Sequence, residues 1–235
     1  MTTSSHTHLL QVCRTCGGGA PVDVHFCPSC TKILTVSRQG DYFSFFGLPR
    51  RLNLDGADLE QRFRSLSRQF HPDYYYNATT TERLASLERS SYLNDAYRTL
   101  RNPVARIEHV LAVEGLASPT SPGGATVPPA LLEEVFELNE ELDDIRTARE
   151  SGADPARLRA RLEAARAPID RKREQHEQQL SELSARWDAQ EGAPVVERRR
   201  TLEELRERLL ERNYLNNLIA TIEREIAALG ADSRG

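Results

Sequence analysis

The chain has 235 residues, of which 39% are hydrophobic and 28% are charged, and its formal net charge is −4. This length allows one large domain or two to three small ones, and no window approaches the roughly 18 apolar residues that a membrane helix requires. The slightly acidic balance lacks the polycationic character of nucleic-acid binders, so neither a membrane nor a nucleic acid is an expected partner.

Composition divides the chain into four regions. Residues 1–38 contain all four cysteines, residues 40–116 contain helical patterns, and residues 118–129 form a linker rich in Pro, Gly and Ser. Residues 130–230 contain charged helices with short breaks. Because strand alternation is almost absent outside the cysteine region, the sequence predicts an all-α protein preceded by a small zinc-ribbon-like module.

The first residues of the chain do not resemble a targeting signal. Its first 12 residues contain neither a long apolar segment nor an Arg-rich amphipathic stretch, so neither a secretory signal nor a transit peptide is expected. A cytoplasmic, reducing compartment is therefore the expected location.

The cysteines form two CxxC pairs, Cys13–Cys16 and Cys27–Cys30, separated by ten residues. Each CxxC turn places two sulfurs on the same side of a tight knuckle, and two knuckles complete the S₄ tetrahedron that structural Zn²⁺ prefers. A region with so little apolar sequence needs metal binding to supply its folding energy. We therefore expect a structural zinc site with Cys13, Cys16, Cys27 and Cys30 as ligands.

The four cysteines have two alternative uses. An iron–sulfur cluster on the same four ligands stays open, whereas a redox dithiol is disfavoured because neither pair opens a helix after a buried strand. Four cysteines saturate the site, so His6, His8 and His25 are expected to be solvated bystanders.

The next element is a helix that starts after Asp55, a candidate N-cap. An apolar stripe recurs at i, i+4, i+7 and i+11, and consists of Leu59, Phe63, Leu66 and Phe70. Off this stripe lie three cations that make the outer surface basic: Arg62, Arg64 and Arg68. Pro72 biases the preceding residue away from the helical conformation, so the helix should end near Phe70 and display His71 and Asp73 on a loop.

A following helix is predicted from the capping-box pair Thr79 and Glu82. Its apolar residues are expected to pack towards the preceding helix, and they are Leu84, Leu87, Leu93, Tyr97 and Leu100. The result is an antiparallel helix pair with a polar tip. No nucleophile lies near His71 and Asp73, so we do not expect an enzyme.

The stretch from Asp41 to Asp73, followed by "SYLNDAYRTLRNPVARIEHVL", resembles a J domain. The likeness includes a short first helix at 41–47, an amphipathic second helix, the His-Pro-Asp loop and the "NDAYRTL" pattern. It implies that His71, Pro72 and Asp73, with Arg62, Arg64 and Arg68, engage a DnaK-type ATPase and stimulate its ATP hydrolysis. Tyr74 stands where most J domains have a basic residue.

The C-terminal region begins with "PALLEEVFELNEELDDIRTAR". Residues at heptad-like spacing form a bundle seam: Leu131, Val135, Leu138, Leu142 and Ile145. Leu132 and Phe136 fall on a neighbouring stripe among carboxylates. On spacing alone, this stripe is either a wider core face or an apolar anchor for a basic partner. Two further helices, at about 155–189 and 195–229, complete an antiparallel three-helix bundle.

A J domain followed by such a bundle resembles the HscB family of iron–sulfur co-chaperones over roughly residues 41–229. In that family the bundle binds the scaffold protein on which iron–sulfur clusters are built. The J domain then delivers the scaffold to a specialised DnaK-type ATPase. The resemblance implies scaffold-binding roles for Leu132, Phe136, Glu137, Glu140, Asp144 and Tyr214. The segment "CRTCGGG…FCPSC" resembles the N-terminal zinc module of eukaryotic relatives.

Three other functions are ranked lower. A general J-domain co-chaperone with a different client would favour broad Met-rich or aromatic surfaces, but the chain has one Met and 6% aromatic residues. A zinc-ribbon nucleic-acid binder would favour a basic ribbon, and residues 1–38 hold only three cations. Tight, stoichiometric zinc would argue against a thiol oxidoreductase. Whether the chain forms a homodimer stays open.

Overall fold

The computed structural model describes residues 10–37, 41–116 and 127–232. These ranges contain seven α-helices and one two-stranded sheet, which confirms the all-α class. The chain divides into two compact units, Met1–Glu114 and Gly115–Gly235. His6, His8 and residues 118–126 of the predicted linker lie outside the described residues. Within the described ranges, no helix combines the length and apolar character needed to cross a membrane.

The first unit opens with the cysteine module. Strands β1 (Leu10–Val12) and β2 (Gly19–Pro21) pair antiparallel, with Gln11 opposite Ala20. A second, shorter hairpin is marked by an isolated bridge between Phe26 and Ile33. The module has a very small core, which consists of Cys13, Ala20, Cys27 and Leu34.

Four helices follow in the same unit: α1 (Tyr42–Phe46), α2 (Gly56–Phe70), α3 (Thr80–Arg101) and α4 (Pro103–Val113). The predicted start signals are present, because the Asp55 side chain accepts the Ala57 N–H and Thr79 forms a capping box with Glu82. Helix α1 ends at Gly47, whose φ of +64° is a left-handed conformation that glycine adopts at little cost. A 3₁₀ turn, Pro72–Tyr75, joins α2 to α3.

The packing of α3 differs from the prediction in its N-terminal half. Leu93 and Leu100 are buried, and Tyr97 stacks on Phe63 with ring centroids 4.2 Å apart. However, Leu84 and Leu87 are 61% and 54% exposed, so their predicted packing is wrong. The helix instead turns a different stripe inwards, made of Glu82, Ala85, Ser86, Arg89, Leu93, Ala96 and Leu100. Small and charged residues thus occupy the core side of the first three turns.

The second unit consists of α5 (Leu132–Glu150), α6 (Pro155–Ala189) and α7 (Val195–Asp232), preceded by a 3₁₀ turn at Pro129–Leu131. The predicted seam is confirmed, because Leu131 at the end of this turn and Leu138, Leu142 and Ile145 on α5 are at most 4% exposed, and the partly buried Val135 packs against them. They pack with residues of the other two helices, including Leu158, Leu162, Ile169, Leu215, Ile219 and Ile222. The three helices therefore share one apolar core.

Candidate functional sites

The four cysteines converge at one point of the module. Their Sγ atoms all lie within 4.8 Å of one another, and both the Cys13–Cys30 and the Cys16–Cys27 pairs are 3.7 Å apart. A tetrahedral ion with metal–sulfur bonds of about 2.3 Å separates its thiolates by about 3.8 Å. The cluster thus fits a single tetrahedral metal ion.

Backbone geometry forms both knuckles in the same way. The Gly17 N–H donates to the Cys13 carbonyl at 2.9 Å, and the Thr31 N–H donates to the Cys27 carbonyl at 2.8 Å. Both donors have positive φ, +74° for Gly17 and +59° for Thr31. A hydrogen bond from the backbone N–H of Cys30 is the main reason why the pKa of the Cys27 thiol falls to about 6. Cys27 is therefore prepared to present a thiolate, the form that binds metal, whereas burial and the three other cysteines raise the pKa of the Cys30 thiol to about 12.

His25 does not behave as the solvated bystander that the sequence suggested. Its ring packs edge-on against Phe45 and Phe70, with centroids 4.9 Å and 5.0 Å away, and its Nδ1 lies 2.7 Å from Nη1 of Arg89. Burial and the charge of Arg89 lower the pKa of His25 to about 4. His25 is thus part of the contact between the module and the helices of the same unit.

The His-Pro-Asp loop displays its two polar side chains. The His71 and Asp73 side chains are 52% and 86% exposed, with His71 Nδ1 3.5 Å from Asp73 Oδ2. The loop is anchored by its backbone, because the Tyr74 N–H donates to the His71 carbonyl at 3.0 Å. The structure therefore fixes the loop while leaving the tripeptide accessible.

The three predicted cations of α2 differ in their surroundings. Arg62 pairs with Asp58 at 3.0 Å and also donates to the carbonyls of Phe46 and Gly47, so it ties α2 to the end of α1. Arg64 forms an exposed pair with Glu60. The guanidinium of Arg68 is exposed and has no ion pair within the described residues. The charges most available to a partner are therefore those of Arg64 and Arg68.

On α5, five of the six predicted scaffold-binding residues share the side opposite the bundle core. Leu132 is 55% exposed and Phe136 is 71% exposed, so neither belongs to a wider core face. The other three, Glu137, Glu140 and Asp144, are exposed as well. Tyr214, the sixth, lies on α7 and is partly buried against the core.

The carboxylates around Phe136 are only partly neutralised. Glu134 pairs with Lys172 and Glu141 pairs with Arg161, both from α6. Asp144 lies 3.8 Å from Arg161, a long contact. Glu137 and Glu140 form no ion pair within the described part of the chain. The surface thus presents an apolar centre beside unpaired negative charge.

No protein-family model matches the chain. Its structure is similar to the crystal structure of human co-chaperone protein HscB, with a TM-score of 0.61 and 25% identity, covering 92% of this chain and 98% of that one. It is also similar to chaperone HscB from Vibrio cholerae, with a TM-score of 0.52 and 26% identity, covering 81% of this chain and 99% of that one.

The helices, the displayed tripeptide and the bundle, together with these similarities, indicate a protein of the J-domain co-chaperone class. Within that class, the chain has the fold of the HscB co-chaperones, with a four-cysteine module ahead of its J-domain helices.

The residue that sequence reasoning missed is Arg89. It lies on the stripe that α3 turns inwards and is only 2% exposed, although arginine is rarely buried without a partner. The position falls seven residues after Glu82 and four before Leu93, which is the helical period of the buried face. That spacing was a usable signal, but its partners come from more than 50 residues away in sequence.

Proposed function

We propose that this protein binds the iron–sulfur scaffold protein through α5 and stimulates a DnaK-type ATPase through its J domain, so that the cluster passes to acceptor proteins. The division of labour follows the four regions: the zinc module at 1–38, the J domain at 40–116, the linker at 118–129 and the scaffold-binding bundle at 130–230. The protein itself carries out no catalysis in this proposal.

The observation that carries the proposal is the exposure of Phe136. A large aromatic side chain that is 71% exposed on the side of α5 away from the core stabilises the bundle little. Exposed aromatic residues beside charged groups are typical anchors of protein interfaces. Leu132, Glu137, Glu140 and Asp144 share the exposed side of α5 with this anchor. Tyr214, the sixth expected contact, lies on α7 and is only partly exposed. Such a surface suits a scaffold segment with apolar and basic side chains.

In this proposal the J domain acts through its exposed His-Pro-Asp tripeptide and through the positive charge of α2. His71, Pro72 and Asp73 form the contact that triggers ATP hydrolysis, and Arg64 and Arg68 add long-range attraction to an acidic ATPase surface. Arg62, two residues before Arg64, lies on a different side of the helix and serves mainly to hold α1 against α2.

The module holds one structural Zn²⁺ in this proposal. Support comes from the S₄ donor set and the 3.7 Å sulfur separations, which suit one ion of tetrahedral preference. A cluster would have to place several irons and sulfides between the same thiolates and therefore needs a wider cage. When bound, the ion supplies folding energy and no reaction chemistry.

The test is calorimetric titration of the full chain with the iron–sulfur scaffold from the same genome. We expect saturable binding that Phe136→Ala weakens by more than about tenfold, or 1.4 kcal/mol. Val196→Ala is the matched control, because Val196 is 79% exposed on the same unit but lies at the start of α7. No binding by folded wild-type protein would refute the scaffold proposal and favour a general J-domain co-chaperone with a different client.

A further inference from the structure

The cysteine module is held against α3 by one buried side chain. Arg89 donates from Nε to the Leu34 carbonyl at 2.5 Å, and from Nη2 to the carbonyls of Thr35 and Val24 at 3.1 Å and 3.3 Å. Its Nη1 lies 2.7 Å from Nδ1 of His25. Three backbone carbonyls and one imidazole of the module thus surround a single guanidinium of the J domain.

All these partners of Arg89 are neutral. The guanidinium also lies over the rings of Phe45 and Phe70, at 5.7 Å and 5.6 Å from their centroids. Arginine stays charged in proteins, and a buried charge that loses its hydrogen-bond acceptors is strongly unfavourable. Helix α3 therefore depends on the module to satisfy a charge that it turns inwards.

The acceptors lie on the two arms of a short hairpin, Val24 and His25 on one arm and Leu34 and Thr35 on the other, and the second cysteine knuckle forms its tip. The Leu34 N–H donates to the His25 carbonyl at 3.0 Å, and the Cys27 N–H donates to the Lys32 carbonyl at 2.9 Å. The tip of this hairpin carries Cys27 and Cys30, whose Sγ atoms converge with those of Cys13 and Cys16, so a metal ion held by the four thiolates would tie the tip to the first knuckle. Because the module's own core is so small, the arms depend on the metal to keep their spacing.

The same contact reaches both ends of the His-Pro-Asp loop. At the first end, the ring of Phe70 packs against His25 and Phe26, at 5.0 Å and 6.3 Å between centroids. The Phe70 carbonyl accepts from Ser86 Oγ and Ser90 Oγ at 2.7 Å and 2.8 Å, and these serines flank Arg89 on α3.

At the second end, Glu82 closes the capping box with Thr79 and also accepts from Lys32 Nζ at 2.9 Å. Residues 71–79 thus connect Phe70 to the first turn of α3, and both of these attachment points contact the module.

We propose that Arg89 is a positioning residue for the His-Pro-Asp loop, and that metal in the four-cysteine module determines through Arg89 how firmly that loop is held for its ATPase. This inference rests on the proposed role of the loop.

The experiment uses the full chain in three forms: loaded with Zn²⁺, stripped of metal by a chelator, and loaded but carrying Arg89→Met. Arg83→Met is the matched control, because Arg83 is exposed on the same helix and, among the described residues, its side chain bonds only to Thr80 Oγ1. Hydrogen exchange by mass spectrometry follows peptides from residues 68–79 and, as an internal reference, from α5.

Stripping the metal and Arg89→Met should each accelerate exchange over residues 68–79 by at least about tenfold, with α5 unchanged. Arg89→Met should still bind one Zn²⁺, because all four cysteines remain. Arg89→Lys should recover only part of the protection, since one ammonium cannot reach four acceptors. Unchanged exchange over 68–79 in metal-free wild-type protein would overturn the inference, even if Arg89→Met fails to fold.

ATPase stimulation separates this inference from the proposed function. A loosened loop should raise the concentration for half-maximal stimulation by about tenfold while leaving maximal stimulation intact, because the tripeptide itself is unchanged. Equal half-maximal concentrations in metal-loaded and metal-free protein would overturn the coupling. If the loaded wild-type protein stimulates no DnaK-type ATPase but its exchange responds to metal, the proposed function fails and the role of Arg89 as positioning residue stands.

Discussion

Two leucines on α5 test the division between the core and the surface of the bundle. Leu142 is 3% exposed and packs against α6 and α7, whereas Leu132, ten residues earlier, is 55% exposed. Each is replaced by alanine in the full chain, so the chemistry of the two substitutions is identical and only the environment differs.

The burial of each side chain sets the expected loss. Leu142→Ala removes three buried carbons, worth about 2.4 kcal/mol of transfer free energy. The cavity that remains brings the total to about 3–5 kcal/mol. Leu132 is already more than half exposed, so less than half of the transfer term applies and Leu132→Ala should cost about 1 kcal/mol or less.

Urea unfolding followed by tryptophan fluorescence measures both losses. The chain has one tryptophan, Trp187, which lies on α6, is 2% exposed and carries the Arg198 guanidinium 4.2 Å from its ring centroid. Its emission therefore reports unfolding of the second unit. A difference between the two variants below about 1 kcal/mol would refute the assignment of Leu142 to the core and Leu132 to the surface.

Three further predictions concern the first unit. His71→Gln should leave the unfolding midpoint unchanged, because the side chain is 52% exposed, but should reduce ATPase stimulation by at least about tenfold; full stimulation would contradict the proposed role. Cys27→Ser should lower bound zinc from one equivalent to none, measured by metal analysis after dialysis, and retained zinc would exclude the S₄ site. Burial lowers the pKa of His109, whose neutral Nε2 accepts the Tyr42 N–H at 3.3 Å. Because the folded pKa lies below the unfolded value of about 6.5, stability is fully present above that pH and declines as the pH falls below it. His109→Gln should flatten this slope in unfolding measurements between about pH 7 and 5, and an unchanged slope would assign it to another group.

Signals that act over a few residues were readable from the sequence. Asp55 caps α2, the Thr79–Glu82 pair caps α3, and Pro72 ends the preceding helix, as their types and spacings predicted. Each CxxC knuckle follows for the same reason, since it is a local turn, and the S₄ preference of a metal predicted that the two knuckles converge. The seam on α5 was predicted as the core face as well, but the spacing left open whether the neighbouring stripe of Leu132 and Phe136 widens that face or lies on the surface.

Tertiary structure decided the orientation of α3. Leu84 and Leu87 are apolar at helical spacing, yet they lie on the exposed side, while Ala85, Ser86 and Arg89 face inwards. The reason is that the cysteine module covers this part of the helix and offers carbonyls rather than apolar surface. Those carbonyls come from residues about 55 positions earlier in the chain.

What the sequence determined is therefore the set of elements, the metal-ligand geometry and the polar loop, because propensity, capping and turn chemistry act over a few bonds. What only the folded chain decided is the placement of Arg89 and His25 at the contact between the module and α3. A buried charge is tolerated only where its acceptors are brought to it, and that condition depends on segments far apart in sequence.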